Sequence, residues 1–263
     1  MKNKDILFSI ENSIAMLLLN RPERLNGLND RMREELSNIA LRVNNDDSIK
    51  VLLITGAGKG FCSGADVFAQ SGNIKKREYP SRNSMVSPVG IWGHSLAHIR
   101  KPVIGAINGV AAGSGLSLAL LCDIRIAAEN ARFSAAWVKR GLAPDIGASY
   151  LLPLFVGVPK ALEIIMLGKM IDAKEALSIG LVSQVVSENQ LMSTAGEIAS
   201  ELANGPSVAI ELAKLAVTRH LRREYEDQTY FETFAQKVCY NTEDHAEGVR
   251  SFIEKRPPQF KGR

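Results

Sequence analysis

The sequence predicts an α/β protein in which strands alternate with helices to about residue 187 and helices alone follow. Two patterns carry that expectation. Short continuous apolar runs recur at residues 51–55, 101–107, 123–128 and 181–186. Each is separated from the next by a helical stretch or a glycine-rich turn, the grammar of a partly parallel sheet buried on both faces. From residue 188 the runs stop. Residues 188–202, 207–221, 224–240 and 243–254 each read as a helix, with Asn204-Gly205-Pro206 as a break. The chain accordingly divides into an α/β core, residues 1–187, and a helical C-terminal subdomain or oligomer contact, residues 188–263.

In order along the chain, residues 6–10 and 14–19 flank Glu11-Asn12-Ser13 as a β-hairpin. Asn29 and Asp30 can cap a helix over residues 31–43, where Met32, Leu36, Ile39 and Val43 fall at helical spacing. The run at 51–55 closes on Gly56-Ala57-Gly58. Residues 72–88 are polar and basic, contain Pro80 and Pro88, and lack a clear period. They read as a loop, of the kind that often covers a ligand site. A helix follows over residues 116–121, and a further apolar helical run begins after Gly147.

The chain has 263 residues, 46% of them apolar, enough for one good-sized core with a small appendage. With 32 basic against 28 acidic side chains the net charge is +4, and the basic residues are scattered, which argues against a nucleic-acid partner. Cys62, Cys122 and Cys239 lie far apart and form neither a C-x-x-C pair nor a Cys/His cluster, so free thiols and no metal site are expected. The apolar stretch near the N-terminus is interrupted by Ser9, Glu11, Asn12 and Ser13, unlike a signal or membrane segment, and a cytoplasmic protein is expected.

Three segments carry chemistry. Phe61-Cys62-Ser63-Gly64-Ala65-Asp66 follows the strand at 51–55. Asn108-Gly109-Val110-Ala111-Ala112-Gly113-Ser114-Gly115 follows the strand at 101–107 and opens a helix. Gly141-Leu142-Ala143-Pro144-Asp145-Ile146-Gly147 precedes another helical run. Glycines at a strand-to-helix turn let backbone approach a ligand, and a helix start favours negative charge there. Each run alone reads equally as a tight turn that packs a helix on a sheet.

Taken together, in this order, the segments resemble the crotonase (enoyl-CoA hydratase/isomerase) superfamily over essentially the whole chain. Leu19-Asn20-Arg21-Pro22-Glu23-Arg24-Leu25-Asn26 looks like its CoA-entry segment, residues 61–66 and 106–123 like its two oxyanion loops, and Glu247-Gly248-Val249 through Phe260 like its terminal helix. The resemblance implies a ββα spiral core, an acyl-CoA thioester substrate, and a homo-oligomer that is a trimer or a dimer of trimers. It implies no separate cofactor, since coenzyme A enters with the substrate. It also implies that the backbone N–H groups of Ala65 and Ser114 hold the thioester oxyanion, one such donor being worth roughly 3–4 kcal/mol. Arg24 and Leu25 would meet the adenine and phosphate end of CoA. Ala65, Asp66, Val67 and Phe68 would line the pantetheine channel, and Phe252 and Lys255 would close it. Ser114 stands where the family usually has glycine.

The same resemblance bears on the reaction. Family hydratases use two glutamates, and the matching positions here are Ser117 and Trp137, neither of which is a general base near neutral pH. Asp145 remains. On base rates it reads as an N-cap. In the Gly-Leu-x-Pro-Asp context of family members that move a double bond, it reads as the catalytic base. The Asn-Arg-Pro-Glu-Arg-Leu-Asn entry and the Lys-Arg-x-Pro-Gln-Phe tail are most similar to the phenylacetate-pathway isomerase type. The expected reaction is conversion of a 3-enoyl-CoA to the 2-enoyl-CoA through a dienolate, with Asp145 as sole proton shuttle. Trp137 with Asp145 also resembles the aryl-CoA dehalogenase branch, but Gly90 replaces its histidine, and His94 and His98 read as packing residues. Enoyl-CoA hydration and RNA binding are competing readings of the same fold. RNA binding would need a lysine-rich helix face, whereas only Lys75-Lys76-Arg77 clusters.

Overall fold

The computed structural model describes residues 4–66 and 90–263, so the segment 72–88 lies outside the described residues. Strands β1 (Ile6–Glu11) and β2 (Ile14–Leu19) form the expected hairpin, in register from Ile6 opposite Leu19 to Glu11 opposite Ile14. Asn12 and Ser13 both take positive φ, 50° and 64°, the two-residue turn whose twist matches that of paired strands. Helix α1 (Asp30–Asn45) starts where Asn29 accepts from Met32 N at 2.8 Å, and its buried stripe is Met32, Leu36, Ile39, Ala40 and Val43.

β3 (Val51–Gly56), β5 (Val103–Ile107), β7 (Ile124–Ala128) and β10 (Gln184–Val186) join the hairpin in one sheet, ordered β1-β2-β3-β5-β7-β10 and parallel beyond β2. Alternate residues of β3 serve opposite faces, as strand geometry requires. Leu52 and Ile54 enter the main core, while Val51 and Leu53 meet Ile104, Ala106, Ile126 and Ala128 under helix α7 (Leu191–Asn204). That helix presents Leu191, Ala195, Ala199 and Ala203, one small residue per turn, to the sheet.

The turns after three of the long strands, with one strand that follows a helix, form a second sheet that periodicity does not reveal. β4 (Gly60–Cys62), β6 (Val110–Ala112), β8 (Arg132–Ser134) and β9 (Met170–Asp172) pair in that order. A long strand, a short strand and then a helix recur: β5, β6 and α3 (Ser114–Leu120) form the clearest ββα unit, and α2 (Ile91–Ala97) precedes it. The expected ββα core and C-terminal helical region are both present. Strands of three residues are too short to show a period.

Helices α4 (Ala148–Val156), α5 (Val158–Met166) and α6 (Ala173–Ser178) complete the core segment. The helices expected at 207–221 and 224–240 are one helix, α8 (Ser207–Tyr240), and α9 (Glu243–Ile253) follows. Residues 222–223, between the two expected helices, are Arg-Arg and contain neither glycine nor proline, so nothing there breaks the backbone hydrogen bonds. In its second half α8 is turned inside out. The buried residues are Tyr225, Thr229, Glu232, Thr233 and Gln236, whereas Tyr230, Phe231 and Phe234 are 58–65% exposed. Among the described residues no helix is long and apolar enough to cross a membrane.

Candidate active site

The segment around Arg24 and the loop at 60–66 are zipped together. Ser63 N donates to Leu25 O at 2.9 Å, Leu28 N to Gly64 O at 2.7 Å, and Asp66 N to Leu28 O at 3.0 Å. Fully buried Asn26 accepts from Arg21 N at 2.8 Å and donates to Gly60 O at 2.7 Å, fixing the left-handed turn at Leu25 and Asn26. Arg21 forms an ion pair with Asp66 at 2.9 Å, so the Asp66 carboxylate is engaged within the protein. Leu25 remains partly exposed on the surface of this zipper.

The Leu28–Ala65 bridge uses the N–H groups of Leu28 and Asp66, and among the described residues the Ala65 N–H donates to no backbone carbonyl. Ser114 is the first residue of α3, where an N–H has no partner within the helix. The two loops carrying these groups touch through backbone. A Cβ on Gly64, whose φ is +95°, would lie 2.6 Å from Ala112 O and 3.4 Å from Ser114 N, and a Cβ on Gly115 would collide with the Cys62 carbonyl. Cys62 itself is buried, which pushes its thiol up to about 12 and disfavours a thiolate there.

Asp145 is the carboxylate these elements surround. Ser114 Oγ donates to its Oδ2 at 3.0 Å, and Trp137 Nε1 donates to its Oδ1 at 3.0 Å. Ser117 Oγ lies 3.0 Å from its carbonyl oxygen and 3.3 Å from Oδ1. The Ser114 side chain, whose direction the sequence leaves open, therefore faces the carboxylate. Ser117, read from sequence without a role, and Trp137 both support the same group. Loss of hydration pushes the Asp145 pKa up, opposed by hydrogen bonds from Ser114 and Trp137 and by the Arg33 guanidinium. The residue keeps part of its surface open.

The N-cap reading of Asp145 is corrected by the structure. α4 begins at Ala148 behind Gly147, whose left-handed backbone (φ 75°) offers no side-chain cap. Buried Glu232 from α8 serves that helix end instead, accepting from Gly147 N at 2.6 Å, Ser149 N at 2.9 Å and Ser149 Oγ at 2.5 Å. Between Asp145 and Gly147, Ile146 also takes φ 57°. A β-branched residue in that region is an outlier that persists only where the surroundings hold it. Its side chain fills the space beside Gly90 and Gly93, and its carbonyl accepts from Tyr225 Oη at 3.2 Å.

The remaining predicted positions are less central. Phe252 packs under the Arg140 guanidinium, 3.9 Å from its ring centroid. Lys255 is exposed after α9, and among the described residues no hydrogen bond or ion pair joins its side chain to the site. Val67 and Phe68 lie outside the described residues. His94 contacts Thr229 Oγ1 at 2.7 Å and His98 pairs with Glu226 at 2.9 Å, so both tie α2 to α8. Sequence reasoning missed Tyr225, Glu232 and Gln236. Their only signal is a polar stripe at helical spacing inside a helix whose aromatics face outward. Among the described residues no group of three His, Cys, Asp or Glu could hold a metal.

The chain is similar to known proteins by family model, by sequence and by structure. The family model described as enoyl-CoA hydratase/isomerase matches residues 9–263. A 1,2-epoxyphenylacetyl-CoA isomerase of Escherichia coli is 39% identical over 98% of both chains. A short-chain-enoyl-CoA hydratase of Clostridium acetobutylicum is 36% identical over the full length of both. The crystal structure of an enoyl-CoA hydratase/isomerase from Pseudoalteromonas atlantica superposes with a TM-score of 0.89 at 31% identity, covering 98% of this chain and 100% of that one.

Proposed function

Because the chain belongs to the enoyl-CoA hydratase/isomerase family, we propose that it moves a double bond in an acyl-CoA thioester, converting a 3-enoyl-CoA to the conjugated 2-enoyl-CoA. The observation that carries this reading is the carboxylate of Asp145, hydrogen-bonded by Ser114 and Trp137 beside the two oxyanion loops. The substrate's α-proton passes to Asp145, leaving a dienolate. Its oxygen accepts from the N–H groups of Ala65 and Ser114, donors fixed where the charge develops. The same carboxylic acid then returns the proton to the γ-carbon, and the double bond moves into conjugation. No water is consumed, so one acid/base group suffices. Its raised proton affinity favours abstraction of a weakly acidic C–H.

Hydration would need a second group to activate water, and Ser117 and Trp137 offer none. Coenzyme A, carried by the substrate, would enter along Arg24 and Leu25, with Ala65 to Phe68 lining its path and Phe252 and Lys255 closing it. No separate cofactor takes part. The exposed aromatic side of α8 supports assembly into a trimer or a dimer of trimers. Incubation with panels of 3-enoyl-CoA and 2-enoyl-CoA, followed by thioester absorbance and product mass, tests the reading. Isomerisation without mass change is expected. A gain of 18 mass units, the mass of one water, would assign hydration instead.

A further inference from the structure

We infer that Glu232 is a positioning residue for the candidate base: from α8 it holds the left-handed turn at Ile146 and Gly147 that aims Asp145 into the site. This rests on the reading of Asp145 as proton shuttle. The first N–H groups of α4 have no partners within the helix. A local side-chain cap requires extended backbone at the capping residue. Here that residue is Gly147 with φ 75°, in a turn that Ile146 already enters with φ 57°. The capping acceptor must therefore come from elsewhere in the chain. Glu232 supplies it with both oxygens, to Gly147 N, Ser149 N and Ser149 Oγ.

The grip extends to both sides of Asp145. Tyr225 Oη donates to Ile146 O at 3.2 Å, Gln228 Nε2 to Ser149 Oγ at 2.9 Å, and Gln236 Nε2 to Ala143 O. Four residues of one helix face thus fasten residues 143, 146, 147 and 149, leaving the Asp145 side chain to Ser114 and Trp137. Burying a carboxylate is costly unless it is fully hydrogen-bonded, and the 3%-exposed Glu232 meets that condition only on this turn. The titratable and charged neighbours of the pair are Arg33 from α1 and Tyr225 and Tyr240 from α8. Burial, with Asp145 nearby, raises Glu232 to about 7, above which all three donors meet an ionised acceptor.

The test measures kcat, KM and their pH dependence for 3-enoyl-CoA isomerisation by the full chain, with Glu232→Gln, Tyr225→Phe and Asp145→Asn side by side. Gln replaces an acceptor by a donor facing an N–H, so the turn shifts. Expected are a fall in kcat of about tenfold or more, in line with the cost of a small misplacement of a reacting group, and a KM within about twofold. A step in kcat near pH 7 in the unmodified protein should vanish in Glu232→Gln. Tyr225→Phe removes one oxygen and should lower kcat in the same sense by a few-fold, even if Glu232→Gln folds poorly. The inference is overturned if both variants keep kcat within twofold, or if kcat falls only in proportion to the folded fraction. An inactive Asp145→Asn beside a fully active Glu232→Gln would sink the positioning role alone. An active Asp145→Asn would sink the base reading. If Glu232→Gln were then inactive, Glu232 itself would carry the proton, which also overturns the positioning role.

Discussion

Replacing Asp145 by Asn separates chemistry from stability. The carboxylate caps no helix, because α4 starts behind Gly147 and its free N–H groups go to Glu232. Asn fits the same shell: its carbonyl oxygen can face Trp137 Nε1, and its NH2 can face Ser114 Oγ, whose hydroxyl turns to accept. The folded pKa of Asp145 lies above its unfolded value, so the native state binds the proton more readily, and stability falls as pH rises through that interval. Asn lifts this penalty. The variant should melt at or above the parent at pH 8, with the gap closing towards pH ~4, near the unfolded Asp value. Activity should fall by roughly 10²–10⁴-fold, the usual worth of a general base, or about 3–6 kcal/mol at about 1.4 kcal/mol per tenfold. Absorbance of the conjugated thioester and calorimetry at the two pH values read both quantities. Retention of more than a tenth of the activity, with a melting temperature several degrees lower at both pH values, would show a structural residue and refute the single-base mechanism.

Other outcomes follow from the same contacts. Trp137→Phe deletes a donor to the carboxylate, so the acid limb of log kcat/KM should move up by roughly one pH unit, the scale of one hydrogen bond to a charged group, with activity near pH 9 changed only a few-fold. Gly115→Ala should cost about 3 kcal/mol or more by denaturant titration, since its Cβ would meet the Cys62 carbonyl, whereas Gly196→Ala on α7, with open space around it, should stabilise by up to about 1 kcal/mol. Free CoA near a millimolar should raise the melting temperature by linkage, and no shift would remove the CoA assignment. Light scattering should give three or six times the 28.7 kDa chain mass, and a monomer at micromolar concentration would refute the assembly.

Much of this was legible in the residues, for physical reasons that can be stated. Asn12-Ser13 between apolar runs and Asn29 before the Met32–Leu36 spacing are local signals, and the hairpin and α1 depend on little else. The loops at 61–66 and 108–115 announced themselves through glycines, because close backbone approach leaves no room for a side chain at Gly64 or Gly115. The short sheet was invisible, since strands of three residues are too short to show a period, and their pairing depends on where the rest of the fold brings them. Asp145 could be named but not its setting: the hydrogen bonds of Ser114 and Ser117 depend on where two distant turns meet. Glu232 was illegible for the same reason, standing 85 residues from the Gly147 N–H that it serves.

The order of the chain gives that last contact a consequence during synthesis. The turn bearing Asp145 is made long before the helix that fastens it. At about 5–20 residues per second, residue 232 follows residue 145 by roughly 4 to 17 s. Throughout that interval Gly147 and Ser149 lack their acceptor, and Ile146 has no Tyr225 hydroxyl against its carbonyl. A nascent chain can therefore complete β1 to β8 and both glycine loops while the turn bearing Asp145 is still unfastened. On the positioning role inferred above, activity waits for α8, and cleavage within α8 before Tyr225 would abolish it while leaving Asp145 untouched.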